Sequence, residues 1–332
     1  MSGPRGRRVA DLPGVWIAED GVPRAKSLIV TLYGDAIRPR GGTLWLGSLI
    51  RLAEPFSINE RLVRTSVLRL SRDGWLASTI VGRRSYYALT EGGHRRASEA
   101  DRRIYATPGA DWSGRWSLVF LSDPAVLPVR DRVRRELALL GFGQIGPDLM
   151  VHPQAEVDGL RHVLADLGLS DHVVVMHAEG EAGFARSRAA HRQALSAMVE
   201  RGWDLAVLRG QYQAFLDRFR PLWRLLDAEE APEPALAFAL RIHMVHAYRR
   251  IVLRDPLLPD ELLPADWPGT HARSLFRNTW LRLREVSEAH LDTIGETADG
   301  PLPAMAPAWR RRFQGTDLPD RAMRENRRAD AH

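Results

Sequence analysis

The chain of 332 residues contains no cysteine. That excludes disulfides, thiolate metal sites and cysteine nucleophiles. Lysine is almost missing: Lys26 is the only one. Arginine therefore carries nearly all the positive charge, which reflects coding bias as well as chemistry. Where the arginines fall says more than how many there are. Long apolar runs are absent as well. None nears the roughly 20 residues that span a bilayer, and the opening MSGPRGRRVADLPG has no signal-peptide apolar core. A cytoplasmic protein without a membrane role is the expectation. What is present is ordinary globular composition, 45% hydrophobic and 27% charged, long enough for two or three domains.

The net charge of +6 is unevenly placed. Residues 1–111 hold 18 Lys and Arg against 11 Asp and Glu; the remainder holds 29 against 30. All the excess lies in the first third. Such asymmetry points to an anionic partner for that third, most simply double-stranded DNA.

That third also has a recognisable order. Residues 24–36 and 44–53 show helical spacing. Ser57 and Glu60 fit a capping box for a third helix. From there Val63, Val67 and Leu70 form one apolar stripe. Arg61, Arg64, Thr65, Leu68 and Arg72 fall opposite, with Arg69 near the edge. Gly74 stops the helix. WLASTI and SYYAL then alternate around VGRR, a hairpin with Arg83 and Arg84 at its tip. Three helices and a hairpin give the order of a winged helix-turn-helix. In that domain the third helix enters the major groove and the wing lies beside it. Arg61, Arg64, Thr65, Arg69 and Arg72 are the candidate groove contacts, and Arg83 and Arg84 the candidate phosphate contacts. A solvated helix and a soluble turn would explain either feature alone; a basic helix and a basic tip in one small unit favour DNA.

EGGHRRASEADRRIY reads as a connecting helix, and TPGAD, 107–111, as a boundary. Strands at WSLVFL, LMVHP and HVVVM alternate with helices at 129–140 and VDGLRHVLADL. This βαβαβ order predicts a ferredoxin-like α/β domain. GFGQIG, 141–146, matches a dinucleotide fingerprint but follows a helix instead of a strand. Gly141 reads better as a helix stop. Helical periodicity continues over 187–201, 203–220, 233–253 and 270–294. The expected organisation is an α+β chain: a flexible N-terminus over 1–23, a winged helix with its connecting helix over 24–106, a ferredoxin-like domain over 112–180, a helical domain over 186–298 and a loosely ordered tail over 299–332.

Other chemistry is thin. His243 and His246, three apart on an apolar helix, lack further ligands and read as packed histidines, not a metal pair. Asp123, just after a strand, is where a small ferredoxin-like nuclease would keep a metal-binding carboxylate; no second acidic motif supports it, and metal-dependent nuclease activity stands as the minor alternative. No catalytic residues, metal or cofactor are expected. RRIVLRDPLLPDELLPADWPG, 249–269, fixes φ at four prolines between leucines. It reads as a packed strap with Asp255 pairing a nearby arginine. The competing reading is the wall of an anionic-ligand site, with Arg249, Arg250, Arg254 and Trp267 as contacts.

Three stretches resemble the PaaX family of repressors of phenylacetate catabolism: LYGDAIRPRGGTLWLGSL, then NERLVRTSVLRLSRDGWL with VGRRSYYALT, and HAYRRIVLRDPLLPDELLPADWPG. WSLVFL and LALLGFGQIGPDLMVHP are similar to the family's middle domain. The likeness covers most of 25–290 in the same order. It implies a homodimeric repressor with an N-terminal winged helix, and a middle domain like the small CRISPR-associated nucleases, used without nuclease activity. It also implies an acyl-CoA inducer, phenylacetyl-CoA, that releases operator DNA. Other family members govern other aromatic pathways with other inducers. Ala247 stands where the family's pattern before the tyrosine of HAYRR is acidic.

Overall fold

The computed structural model describes residues 8–105, 112–153, 155, 157–179, 186–228, 231–310 and 312–313. The chain forms two compact units. One comprises Met1–Thr107, Ala214–Arg250 and Thr270–His332; the other comprises Pro108–Gln213 and Ile251–Gly269.

The first unit opens with α1 (Leu12–Asp20) and α2 (Ala25–Leu32). Residues 12–20 are thus helical, in place of the flexible N-terminus expected over 1–23. The reason is burial: Leu12 and Trp16 enter the core, and Trp16 packs on Phe219 with ring centroids 4.9 Å apart. After α2 the chain widens into a π-helical turn, Tyr33–Ile37, that carries Asp35 inward. β1 (Thr43–Trp45), α3 (Leu46–Ala53), α4 (Glu60–Arg72), β2 (Leu76–Val81), β3 (Arg84–Leu89) and α5 (Glu91–Ile104) follow. The three strands form an antiparallel sheet in the order β1-β3-β2. Helix, strand, two helices and a hairpin paired back to that first strand make a complete winged helix. Residues 44 and 45, whose spacing suggests a helix, belong to β1, because Trp45 is extended and pairs with Tyr86. Val63, Val67 and Leu70 are buried with Leu28, Leu32, Leu49 and Phe56 in one core.

The second unit carries β4 (Arg115–Phe120), α6 (Arg130–Leu139), β5 (Gly143–Gly146), β6 (Leu149–Pro153), α7 (Val157–Asp166) and β7 (Val174–Glu179). The sheet is antiparallel, ordered β5-β6-β4-β7. This is the βαββαβ ferredoxin-like topology, one strand more than the alternation suggested. The extra strand is the GQIG that imitated a nucleotide loop. Gly141 ends α6 with φ of 95°, and Gly143 is needed because any Cβ there would stand 2.5 Å from the Trp203 indole. Trp203 Nε1 in turn donates to the Gly141 carbonyl at 2.8 Å.

Helices α8 (Arg188–Gly202), α9 (Leu205–Ala228), α10 (Pro234–Val252) and α11 (Pro268–Ile294) complete the chain with a short hairpin, β8 (Glu296–Thr297) and β9 (Gly300–Pro301), and the turn α12 (Pro307–Arg310). The start of the tail expected to be loose is ordered, because Leu302, Met305 and Phe313 are buried. Residues 314–332 and the TPGAD boundary lie outside the described residues.

Within the first unit, one buried ionic network ties these pieces together. Asp35 accepts from Arg241 Nε at 2.8 Å, Arg312 Nη1 at 3.2 Å, Trp280 Nε1 at 2.9 Å and the Tyr105 hydroxyl at 2.5 Å. Arg241, fully buried on α10, also donates to Ser287 and Glu288 at 2.7 Å each. Burial alone would raise the Asp35 carboxyl. Arg241 and Arg312, with the two neutral donors, hold it below the ordinary carboxylate value.

The two histidines of α10 are packed. His246 Nδ1 lies 2.9 Å from the Thr31 hydroxyl, and the His243 ring sits 4.8 Å from Phe56 and 5.5 Å from Trp16. Burial, helped by Arg218, pushes His243 down to about 4; burial, helped by Arg249 and Arg250, pushes His246 down to about 3. Both are therefore neutral in the fold at pH 7. Below about pH 6.5 the unfolded chain takes up protons that the native chain refuses, so stability falls as pH falls, by up to about 1.4 kcal/mol per unit for each histidine. Denaturant unfolding should show a clear loss between pH 7 and 5, and His246→Asn should remove about half of it. A profile level from 7 to 5 would contradict the neutral buried assignment.

Candidate nucleic-acid interface

The interface is built on α4. Asn59 starts this helix, its side-chain oxygen accepting from the Leu62 amide at 3.0 Å. The expected Ser57–Glu60 capping box does not form: Ser57 is left-handed, φ 57°, ending the preceding turn. Glu60 instead holds Arg64 at 2.7 Å. Arg61, Arg64, Thr65, Leu68, Arg69 and Arg72 lie on the side away from Val63, Val67 and Leu70, and all six are exposed. The Thr65 hydroxyl donates to the Arg61 carbonyl at 2.8 Å.

The wing differs from the hairpin expected. Its two-residue tip is Gly82–Arg83, with Gly82 at φ of 62°, and Val81 pairs with Arg84. Two-residue hairpin loops require that positive φ. Arg83 is exposed at the tip. Arg84 is not at the tip but begins the return strand. Its guanidinium lies 4.3 Å from the Trp45 ring centroid and donates to Glu296 at 2.7 Å. Glu296 also takes Arg51 at 3.2 Å. No local pattern marks this clamp, since Glu296 lies 212 residues from Arg84.

The four candidate ligand contacts are divided between the two units. Arg249 and Arg250 belong to the first unit, Arg254 and Trp267 to the second. Arg249 donates to Thr31 and to the Ser27 carbonyl, both at 3.2 Å, and lines a cavity of only about 20 Å³, room for a single water. Arg250 and Arg254 are exposed. Trp267 is buried beneath Arg209, which Asp266 holds with two contacts of 2.9 and 3.0 Å. Trp267 also lines an open cleft of about 550 Å³ with Trp203, Arg201 and Arg209. Glu200 and Asp204 on its wall, with Asp266 on Arg209, leave that cleft without excess positive charge. The 251–269 segment is a strap: Leu258 and Leu262 are buried, and buried Asp255 accepts from the Leu257 amide at 2.7 Å. Asp123 caps a turn, accepting from the Ala125 amide at 2.7 Å with His172 3.4 Å away. Among the described residues no group of three His, Asp or Glu could hold a metal ion, and no helix is long and apolar enough to cross a membrane.

Comparison with known proteins meets this geometry. Residues 24–93 match the model of the PaaX-like protein, 109–191 the PaaX protein central Cas2-like domain, and 203–293 the PaaX-like protein C-terminal domain. The transcriptional repressor PaaX of Escherichia coli (strain K12) is 39% identical over 298 residues, 90% of this chain and 92% of that protein.

The chain belongs to the PaaX family.

It is accordingly a PaaX-like transcriptional repressor, not an enzyme. Its winged helix, Cas2-like α/β domain and C-terminal helices follow the order of the three PaaX matches. Among solved structures, the uncharacterized protein Rv0674 from Mycobacterium tuberculosis is similar with 24% identity and a TM-score of 0.45, over 73% of this chain and 89% of that one.

Proposed function

We propose that this chain is a cytoplasmic, homodimeric repressor of phenylacetate catabolism genes that binds operator DNA and is released by phenylacetyl-CoA. The observation that carries the reading is the arginine face of α4, turned to solvent within a winged helix. Arginine pairs bidentately with guanine in the major groove, and a helix of this kind is the element that enters it. A twofold dimer then meets two half-sites roughly 10 base pairs apart, or a multiple of that. In this reading Arg61, Arg64, Thr65, Arg69 and Arg72 face the groove, and Arg83 meets phosphate.

Arg84 stands differently, because Glu296 already neutralises it. Each phosphate contact releases about one counterion. Arg83→Ala should therefore lower the salt slope of DNA binding by about 1, and Arg84→Ala by less. Equal slopes for wild type and Arg83→Ala would return the tip to a plain soluble turn.

The inducer follows from the family resemblance and one physical point. Free phenylacetate offers a ring and one carboxylate, too little to separate two dimer geometries. The thioester adds phosphates and a long arm that can bridge moving elements. A hundredfold loss of operator affinity needs about 2.7 kcal/mol of differential binding. Gel-shift titration of the promoter DNA beside the chain's own gene tests this. Phenylacetyl-CoA should release the DNA and free phenylacetate should not. Release by another acyl-CoA alone would leave a repressor of a different aromatic pathway.

A further inference from the structure

Leu68 sits where a leucine has no structural reason to be. It is 53% exposed, while Val63, Val67 and Leu70 on the same helix are each at most 1% exposed. Its helical neighbours at i−4 and i+4 are Arg64 and Arg72, and Thr65 stands at i−3. Leu68 is thus near the centre of the cationic face. The Thr65 donor is already used on the Arg61 carbonyl, so Thr65 brings a methyl to the same patch.

We infer that Leu68, with Thr65, reads the methyl group of a thymine in the operator. The inference rests on the proposed entry of α4 into the major groove. A side chain at the centre of that face then meets base edges. The major-groove edges of guanine, adenine and cytosine offer polar atoms; thymine alone adds an apolar methyl. The flanking arginines bring the phosphates and guanines to the face, and Leu68 selects against cytosine at one position per half-site. Such a residue adds specificity without adding to the salt slope, because it releases no counterion.

The test removes the methyl and nothing else. Each thymine of the bound promoter fragment is replaced in turn by deoxyuridine, which keeps base pairing and every hydrogen-bonding edge. For the wild-type chain, one thymine per half-site should show a loss of about fourfold, the worth of burying one methyl. In Leu68→Ala that same replacement should lose most of its effect, with thermal melting and salt slope unchanged. Thymines that are all insensitive, or a sensitive thymine equally sensitive in Leu68→Ala, would overturn the inference. Failure of the underlying reading looks different: the wild-type chain would bind promoter and scrambled DNA alike before any uridine is introduced.

Discussion

Arg241→Met unfolds at markedly lower denaturant than the wild-type chain, with a loss of about 3–5 kcal/mol in the first unit. Methionine nearly fills the space, so the loss comes from charge. Asp35 is fully buried and keeps its proton off because Arg241 and Arg312 stand beside it. Removing one partner of a buried ion pair leaves an uncompensated charge, and that is the expensive change. Ser287 and Glu288 each lose a donor too, although Glu288 keeps Arg40 at 3.1 Å. Asp35→Leu combined with Arg241→Met should recover part of the loss, since it removes the stranded Asp35 charge while Arg312 keeps Asp101 at 3.1 Å. The midpoint shift at constant slope in denaturant measures the effect. A change below about 1 kcal/mol would mean that the network does not hold the unit together.

The second large effect is on DNA. Arg64→Ala together with Arg69→Ala should weaken operator binding by roughly 2–6 kcal/mol, since one base-reading arginine is worth roughly 1–3 and the two lie on different turns. Arg64 must leave Glu60 to do this. Both side chains of that pair are more than half exposed, and exposed pairs are worth under about 1 kcal/mol, less than a bidentate pairing with guanine. Binding to scrambled DNA should fall far less, so discrimination collapses. A folded double variant that keeps its discrimination would remove both arginines from the reading set.

How much of this was legible in the sequence depends on the range of the interaction. The α4 face was readable because its two stripes repeat within thirteen residues. The ferredoxin-like order was readable except for β5, four residues long and disguised by glycines. β1 was missed because three residues carry no period, and its strand identity comes from pairing with β3. The long-range pairs were beyond reach. Arg241 finds Asp35 across 206 residues and Arg84 finds Glu296 across 212. One signal did exist: an arginine inside the apolar helix ALAFALRIHMV must be paired when buried. That reasoning demands a carboxylate without saying which. Trp16 shows the same limit, since its partners Phe219 and His243 lie far along the chain.

The central claim is that the arginine face of α4 reads a DNA sequence. Its most direct test is the ratio of affinities for the promoter fragment beside the chain's own gene and for a scrambled fragment of equal length, at one fixed salt concentration. The expected ratio is at least about 10³, the lower range for specific DNA-binding proteins. Equal affinity for the two fragments, falling together as salt rises, would contradict the claim and leave only a basic surface that attracts any DNA.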